Sequence, residues 1–313
     1  MSKKHKYTGF FLVITGSIFW GIGGTVSQKL FQHNENIDVN WLVVTRLSIA
    51  GLLLLGIHFL RKGGSQITGI WKTRQTALMI LIFGIVGMLG VQYTYMASIS
   101  YGNAAVATLL QYLAPVMIVL YFILRREASL TKQDVLIILL ALAGCFLLLT
   151  NGSFETFSIP LPAIIWGLLS AVGLAFYTLN AVPLIKKFDS LVVVGWAMII
   201  GGGSLSLFHA PWQIDLSQFS AETYAYLLFV IVLGTMVAFW FYIESLQYLS
   251  PKEASFLSSL EPLAAVLSTV IWLKEPFGAY QWAGTACIIL MIIILAISKQ
   301  PASEELKNPG HAD

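Results

Sequence analysis

Three charged residues stand inside long apolar stretches of this chain, and each asks for a reason. Glu261 lies in Ser-Leu-Glu-Pro-Leu (259–263), directly before Pro262. Proline has no amide hydrogen, so a carbonyl one helical turn upstream loses its usual donor. A carboxylate beside such a carbonyl suits an ammonium group or a proton. Glu261 is nine residues past Lys252, about 13 Å along a helix, which is close to the middle of roughly 30 Å of hydrocarbon. A charge at that depth costs at least about 2.5 kcal/mol by insertion scales. Glu244 lies nearer one end of its segment, where it reads as a gating or coupling residue or as an interfacial acid near Lys252. Arg46 is six residues past Asn40, about 9 Å into its segment. It reads as a structural charge tying helices together, with a substrate-carboxylate clamp as the alternative. Its stem is also long enough to lift the guanidinium toward headgroups.

Neutral polar and aromatic residues accompany these charges. In the first half they include Trp20, Gln92, Tyr95, Gln111 and Tyr112, and in the second Tyr177, Asn180 and Trp240. Flat apolar faces combined with hydrogen-bonding groups suit an organic solute with a polar head. Pro115 and Pro262 mark places where a helix can bend or restart, and so could gate. The two cysteines sit in apolar runs and read as small buried hydrophobes. The five histidines are scattered, which argues against a metal site. There is no phosphate-binding loop, so nucleotide hydrolysis is not the energy source, and no cofactor is expected.

The elements that position these residues follow from composition. Of the 313 residues, 57% are hydrophobic and 11% charged, against roughly 25% charged in soluble domains. Mean hydropathy is +0.80. Lipid must therefore be the solvent for much of the surface, and a net charge of +3 gives no reason to expect nucleic acid. A membrane helix needs about 20 apolar residues. Ten segments qualify: 8–30, 40–60, 75–98, 103–124, 133–150, 161–183, 190–209, 222–247, 253–273 and 279–298. With the N-terminus in the cytoplasm, 15 of the 18 lysines and arginines fall inside, only Lys29 and Lys274 fall outside, and Arg46 lies within the second span. This bias predicts cytoplasmic termini and a multi-pass plasma-membrane protein.

The chain also repeats itself. Tyr95–Leu120 lies on Tyr242–Leu267 at a constant offset of 147, with nine identities, among them Tyr95/Tyr242, Leu113/Leu260 and Pro115/Pro262. The repeat breaks at Glu261, whose counterpart is Ala114, and at Glu244, whose counterpart is Ala97. Five spans per half is an odd number, so the second half enters the bilayer inverted, which is the arrangement of many secondary transporters. The expected layout is a first five-helix repeat over 1–150, an outer linker at 151–160, a second repeat over 161–298 and a cytoplasmic tail at 299–313. The stretch between spans two and three reads as a short polar loop, and Glu127 and Glu275 read as solvated or helix-capping acids at span ends.

The blocks beginning at Tyr112 (YLAPVMIVLYFILRREASLTKQD) and at Ser259 (SLEPLAAVLSTVIWLKEPFGAYQWAG) resemble the drug/metabolite transporter superfamily, EamA type. The matching features are Pro115 with Glu127, Pro262 with Glu275, and Arg46 early in the second span. The resemblance implies an all-α membrane protein of ten helices, built as two inverted repeats around a central cavity lined from spans 1, 3, 4, 6, 8 and 9. It implies substrate contact by Glu261 and by the polar and aromatic residues named above. The expected function is secondary transport of a small metabolite, an amino acid or related amine being the first candidate, by alternating access. A broad-specificity drug exporter of the same superfamily, a channel and an intramembrane enzyme acting on lipid-linked substrates are the rivals. Expected partners are the small-molecule substrate and membrane lipid, and a homodimer remains open.

Overall fold

The computed structural model describes residues 3–33, 36–126, 131–153, 158–245, 248–249, 257–258 and 260–297. Glu127, Lys252, the linker core 154–157 and the tail 299–313 lie outside the described residues, as does the side chain of Pro115. The described residues are helices and their connections, with no strand among them.

In chain order the helices are α1 (Lys3–His33), α2 (Val39–Lys62), α3 (Ser65–Gly69), α4 (Arg74–Ile82), α5 (Gly90–Tyr101), α6 (Ala104–Gln111) and α7 (Ala114–Leu124). They continue as α8 (Lys132–Thr150), α9 (Leu161–Ile185), α10 (Ser190–Ser206), α11 (Ala221–Leu228), α12 (Ala238–Ser245), α13 (Leu260–Ile271) and α14 (Ala279–Ile297). Among the described residues, six helical stretches are long and apolar enough to cross a bilayer: Tyr7–His33, Val39–Lys62, Arg74–Tyr101, Lys132–Thr150, Leu161–Ile185 and Ala221–Tyr242. Shorter apolar helices occupy the other four predicted segments.

Two departures from the sequence reading have local causes. The loop between spans two and three is not wholly irregular, since Ser65–Gly69 forms one helical turn. The predicted span 103–124 is not one helix. It stops at Gln111, turns through Tyr112 and Leu113, and restarts at Ala114 with Pro115 in the first turn. Proline is tolerated at that position because the first amides of a helix have no intrahelical acceptor. Pro262 lies in α13, four residues past Ser258, which is also helical.

Two stretches are π-helical, Phe83–Leu89 between α4 and α5 and Phe229–Val237 between α11 and α12. A shift of 147 carries 83–89 onto 230–236, the offset already present in the sequence. A π turn widens the helix and leaves its carbonyls poorly matched. In the second stretch Thr235 Oγ1 donates to the carbonyl of Val230, five residues back, at 2.7 Å.

The packing is reciprocal. Helix α9 receives α5, α6 and α7, while α1 receives α12, α13 and the second π stretch. The first π stretch lies on α10, and the second on α2. Two further pairs join the halves directly, α2 with α10 and α8 with α14. Both depend on glycine. A methyl group at Gly51 would stand 2.8 Å from the Gly195 carbonyl oxygen, and one at Gly284 would stand 2.7 Å from the Gly144 carbonyl oxygen. Gly144 and Gly284 do not align in the sequence repeat, yet they meet in space. Bare backbone lets membrane helices approach this closely where no hydrophobic force drives them together. Gly51→Val is therefore expected to destabilise the protein by about 1–3 kcal/mol. Gly56→Val, on the same helix but with nothing within 4 Å, is expected to leave the thermal midpoint in detergent unchanged.

Candidate functional site

Helices α1, α6 and α13 meet along a seam, and the site is built in layers along it. At one end Gln28, 1% exposed, donates from Nε2 to Glu275 Oε1 at 2.8 Å. Its Oε1 accepts from the Ala104 amide at 2.9 Å. One helical turn deeper, Gly24 brings α1 against the Tyr95 hydroxyl, which bonds Thr108 Oγ1 at 2.7 Å. Another turn deeper on α6, Tyr112 meets α13: its hydroxyl lies 2.7 Å from Glu261 Oε2 and 3.1 Å from the Ser258 carbonyl oxygen. Ser258 is four residues before Pro262, so it is the carbonyl to which the proline gives no amide hydrogen. Tyr112, from the break between α6 and α7, thus reaches across to Glu261 of α13 and to the Ser258 carbonyl before it.

Trp20 closes on the same region from α1. Its ring meets Phe239 edge-on at 4.8 Å and Tyr242 at 5.3 Å. Tyr242, the repeat counterpart of Tyr95, lies within electrostatic reach of Glu261, as does Tyr95. Thr25 anchors α1 to α13 through Ser268 Oγ at 2.7 Å and Thr269 Oγ1 at 3.3 Å.

The other sequence candidates fall in different settings. Arg46 is 4% exposed and spans from α2 to α5, donating to Gln92 Oε1 at 3.1 Å and Met96 Sδ at 3.3 Å. Gln92 is thereby occupied with holding Arg46. Tyr177 stacks on Phe83 of the first π stretch, with ring centroids 4.7 Å apart. Asn180 is exposed and turns back on its own helix, donating to the Phe176 carbonyl at 2.9 Å. Trp240 lies under the Arg61 guanidinium at 4.9 Å, and its buried Nε1 has no hydrogen-bond partner among the described residues. Gln111 ends α6 half-buried, next to Tyr112, and Glu244 is half-buried in α12.

Thr108, Ser258, Gln28 and Tyr242 complete the layers without having stood out as site residues in the sequence. Glu275 does not stand as a solvated end charge. It is half-buried and accepts from both Gln28 and Gln32. A cavity of about 240 Å³ opens at the same end of α1, lined among others by Leu30, His33, Gln218, Glu222 and Tyr226. Among the described residues, no group of three histidines, cysteines or acids converges as a metal site would.

The opposite end carries an ion pair. Asp189 caps α10 by accepting from the Leu191 amide at 2.9 Å, and Lys62 Nζ reaches its Oδ2 at 2.9 Å. Buried His58 Nδ1 lies 3.6 Å from Oδ1. Partial burial favours the protonated acid. The hydrogen bonds from Lys62 and Leu191 outweigh it, and Asp189 is held below the ordinary carboxylate range.

The EamA-like transporter family profile matches residues 7–150 and 161–297. The chain belongs to the EamA-like transporter family. It is 35% identical over 295 residues to the uncharacterized inner membrane transporter YicL of Salmonella typhimurium, covering 93% of this chain and 96% of that one. The uncharacterized transporter YetK of Bacillus subtilis is 25% identical over 287 residues, covering 87% and 84%. One solved crystal structure superposes with a TM-score of 0.60 over 98% of this chain and all of the other, at 16% identity. That likeness speaks for the fold alone. Family and apolar helices together make this EamA-like protein a multi-pass membrane transporter.

The Asp189 cluster yields a stability test. Its contribution is complete above the usual carboxylate range, near pH 4, and is lost as pH falls through the lower folded value. Asp189→Asn keeps an acceptor for the helix cap but loses the ion pair, a cost of at most about 1 kcal/mol at so exposed a pair. Asp189→Ala also loses the cap, about 1 kcal/mol more. Thermal midpoints in detergent should fall in that order, and equal midpoints would remove the cap from the account.

Proposed function

We propose that this protein is a ten-helix secondary transporter of two inverted five-helix repeats. It carries a small organic solute with an ammonium group, an amino acid or related amine, across the plasma membrane by alternating access at Glu261. Both termini are cytoplasmic in this reading. The reciprocal packing and the paired π stretches support two repeats. The lysine and arginine distribution supports the orientation.

The observation that carries the solute class is the Tyr112–Glu261 contact. Tyr112 has one hydroxyl proton and faces two acceptors, the Glu261 carboxylate and the Ser258 carbonyl. With Glu261 ionised, that proton goes to the carboxylate. With Glu261 protonated, the acid donates to the phenol oxygen and Tyr112 turns its own proton to Ser258. A substrate ammonium can take the place of the acid proton. Trp20 and Tyr242 supply flat apolar walls beside it, and cations favour such ring faces. The titratable groups facing Glu261 are Tyr95, Tyr112 and Tyr242. Among the described residues, no lysine or arginine pairs with it. Arg46 serves as the structural charge between α2 and α5.

The test is counterflow in proteoliposomes loaded with one unlabelled compound and offered the same compound labelled, across the proteinogenic amino acids, cadaverine and ethidium. Saturable counterflow with an amino acid or cadaverine is expected. Glu261→Gln should abolish it or remove its pH dependence. Tyr112→Phe should weaken apparent affinity roughly tenfold, the worth of one hydrogen bond to a charge. Flux with ethidium alone would mark a drug exporter, and flux that does not saturate would mark a channel.

A further inference from the structure

The seam above Glu261 is closed by a contact that the solute site does not use. Gln28 belongs to α1, which packs with α12 and α13, whereas Ala104 opens α6, which packs on α9 and meets α13 across the seam. Their hydrogen bond therefore joins the two helix groups that alternating access must separate. Gln28 lies seven residues, about 10 Å, along α1 from Gly21, where α1 rests against the backbone of Glu261. We propose that Gln28 is the latch of the outer gate, with Ala104 as its partner across the seam and Glu275 as the group that holds it in position. The outer location rests on the orientation given above. The latch itself rests only on the contacts.

The chemistry suits a contact that must break and remake. The first amides of a helix have no intrahelical acceptor. In α6 the Asn103 side chain accepts from the Val106 amide at 2.9 Å, and Gln28 takes Ala104. When the seam parts, water entering from the open end can replace Gln28 at that amide, so opening strands no buried donor. The bond is neutral, which keeps its strength modest. Glu275 makes the latch directional. It accepts from Gln28 Nε2 and from Gln32 Nε2 at 2.9 Å, which turns the Gln28 amide oxygen toward Ala104. Below the latch the seam is narrow: Gly24 admits Tyr95, and Thr108 takes the Tyr95 hydroxyl. No side chain larger than glycine fits at position 24 without displacing that hydroxyl. The cavity near Leu30 and His33 lies at the same end of α1. At the other end Asn180 turns back on its own helix, donating to the Phe176 carbonyl.

The test is pulsed electron spin resonance on the full chain in lipid nanodiscs, with nitroxides at His33 on α1 and Tyr101 on α5. Both positions are exposed and both lie at the latch end. The expected result is one short distance population in the wild type, and in Gln28→Ala a longer population raised roughly fivefold, as for one neutral hydrogen bond lost. Glu275→Gln should raise it less, because Gln32 and the Ala104 bond remain. Asp189→Asn, at the opposite end, should leave the distribution unchanged. If Gln28→Ala fails to fold, Gln28→Met gives the same reading, since it keeps the volume and removes both the amide oxygen that takes Ala104 and the amide nitrogen that reaches Glu275. Distances identical in the wild type and both Gln28 variants would overturn the latch. The measurement needs no substrate, so its outcome is independent of whether Glu261 binds an amine.

Discussion

A bilayer interior offers no water to an unpaired backbone group, and that constraint organises this molecule. Continuous helices satisfy it automatically. The places where helices break must be satisfied by side chains from elsewhere in the fold. At Pro262 the Ser258 carbonyl, which the proline cannot serve with an amide hydrogen, lies within reach of the Tyr112 hydroxyl, which also reaches Glu261. The start of α6 does so through Gln28 and Asn103. The groups that repair broken helices are thus the same groups that bridge the seam. Structural repair and the chance of movement coincide at these points.

The remainder of the fold is built to keep that seam narrow and the outer pairs fixed. Gly51 with Gly195 and Gly144 with Gly284 bring two helix pairs to backbone contact. Arg46, deep between α2 and α5, finds an amide and a thioether in place of a carboxylate. Leaving such a group without partners would cost several kcal/mol, so α2 and α5 are held in register. Against these rigid pairs, the α1–α6 seam is joined by neutral hydrogen bonds and small residues. This interface leads from Gln28 past Tyr95 to Tyr112 and Glu261.

Much of this is legible in the sequence. The apolar segments fall where helices form, because span length and charge exclusion are strong local signals. Glu261 and Arg46 are visible because a charge in hydrocarbon is rare. The partners are not visible. Gln28 and Glu275 are 247 residues apart, and nothing local distinguishes this glutamine from Gln32. Glu275, at a span end beside Lys274, looks like any solvated acid until α1 is packed against it. The π stretches have no compositional mark beyond Gly87 and Gly234. The meeting of Gly144 with Gly284 runs against the repeat offset, since facing positions need not be equivalent ones. In the sequence Tyr112 is one aromatic among several, because its place comes from the helix break beside Pro115.

The central claim is that the region around Tyr112 and Glu261 opens to each side of the membrane in turn. The most direct measurement is reactivity of a cysteine at Gln111, beside Tyr112, toward a membrane-impermeant maleimide in right-side-out and in inside-out vesicles. The account predicts labelling from both sides, while the vesicles hold an imposed ion gradient throughout. Labelling from one side only under every condition, or labelling from both sides with collapse of the gradient, would contradict it.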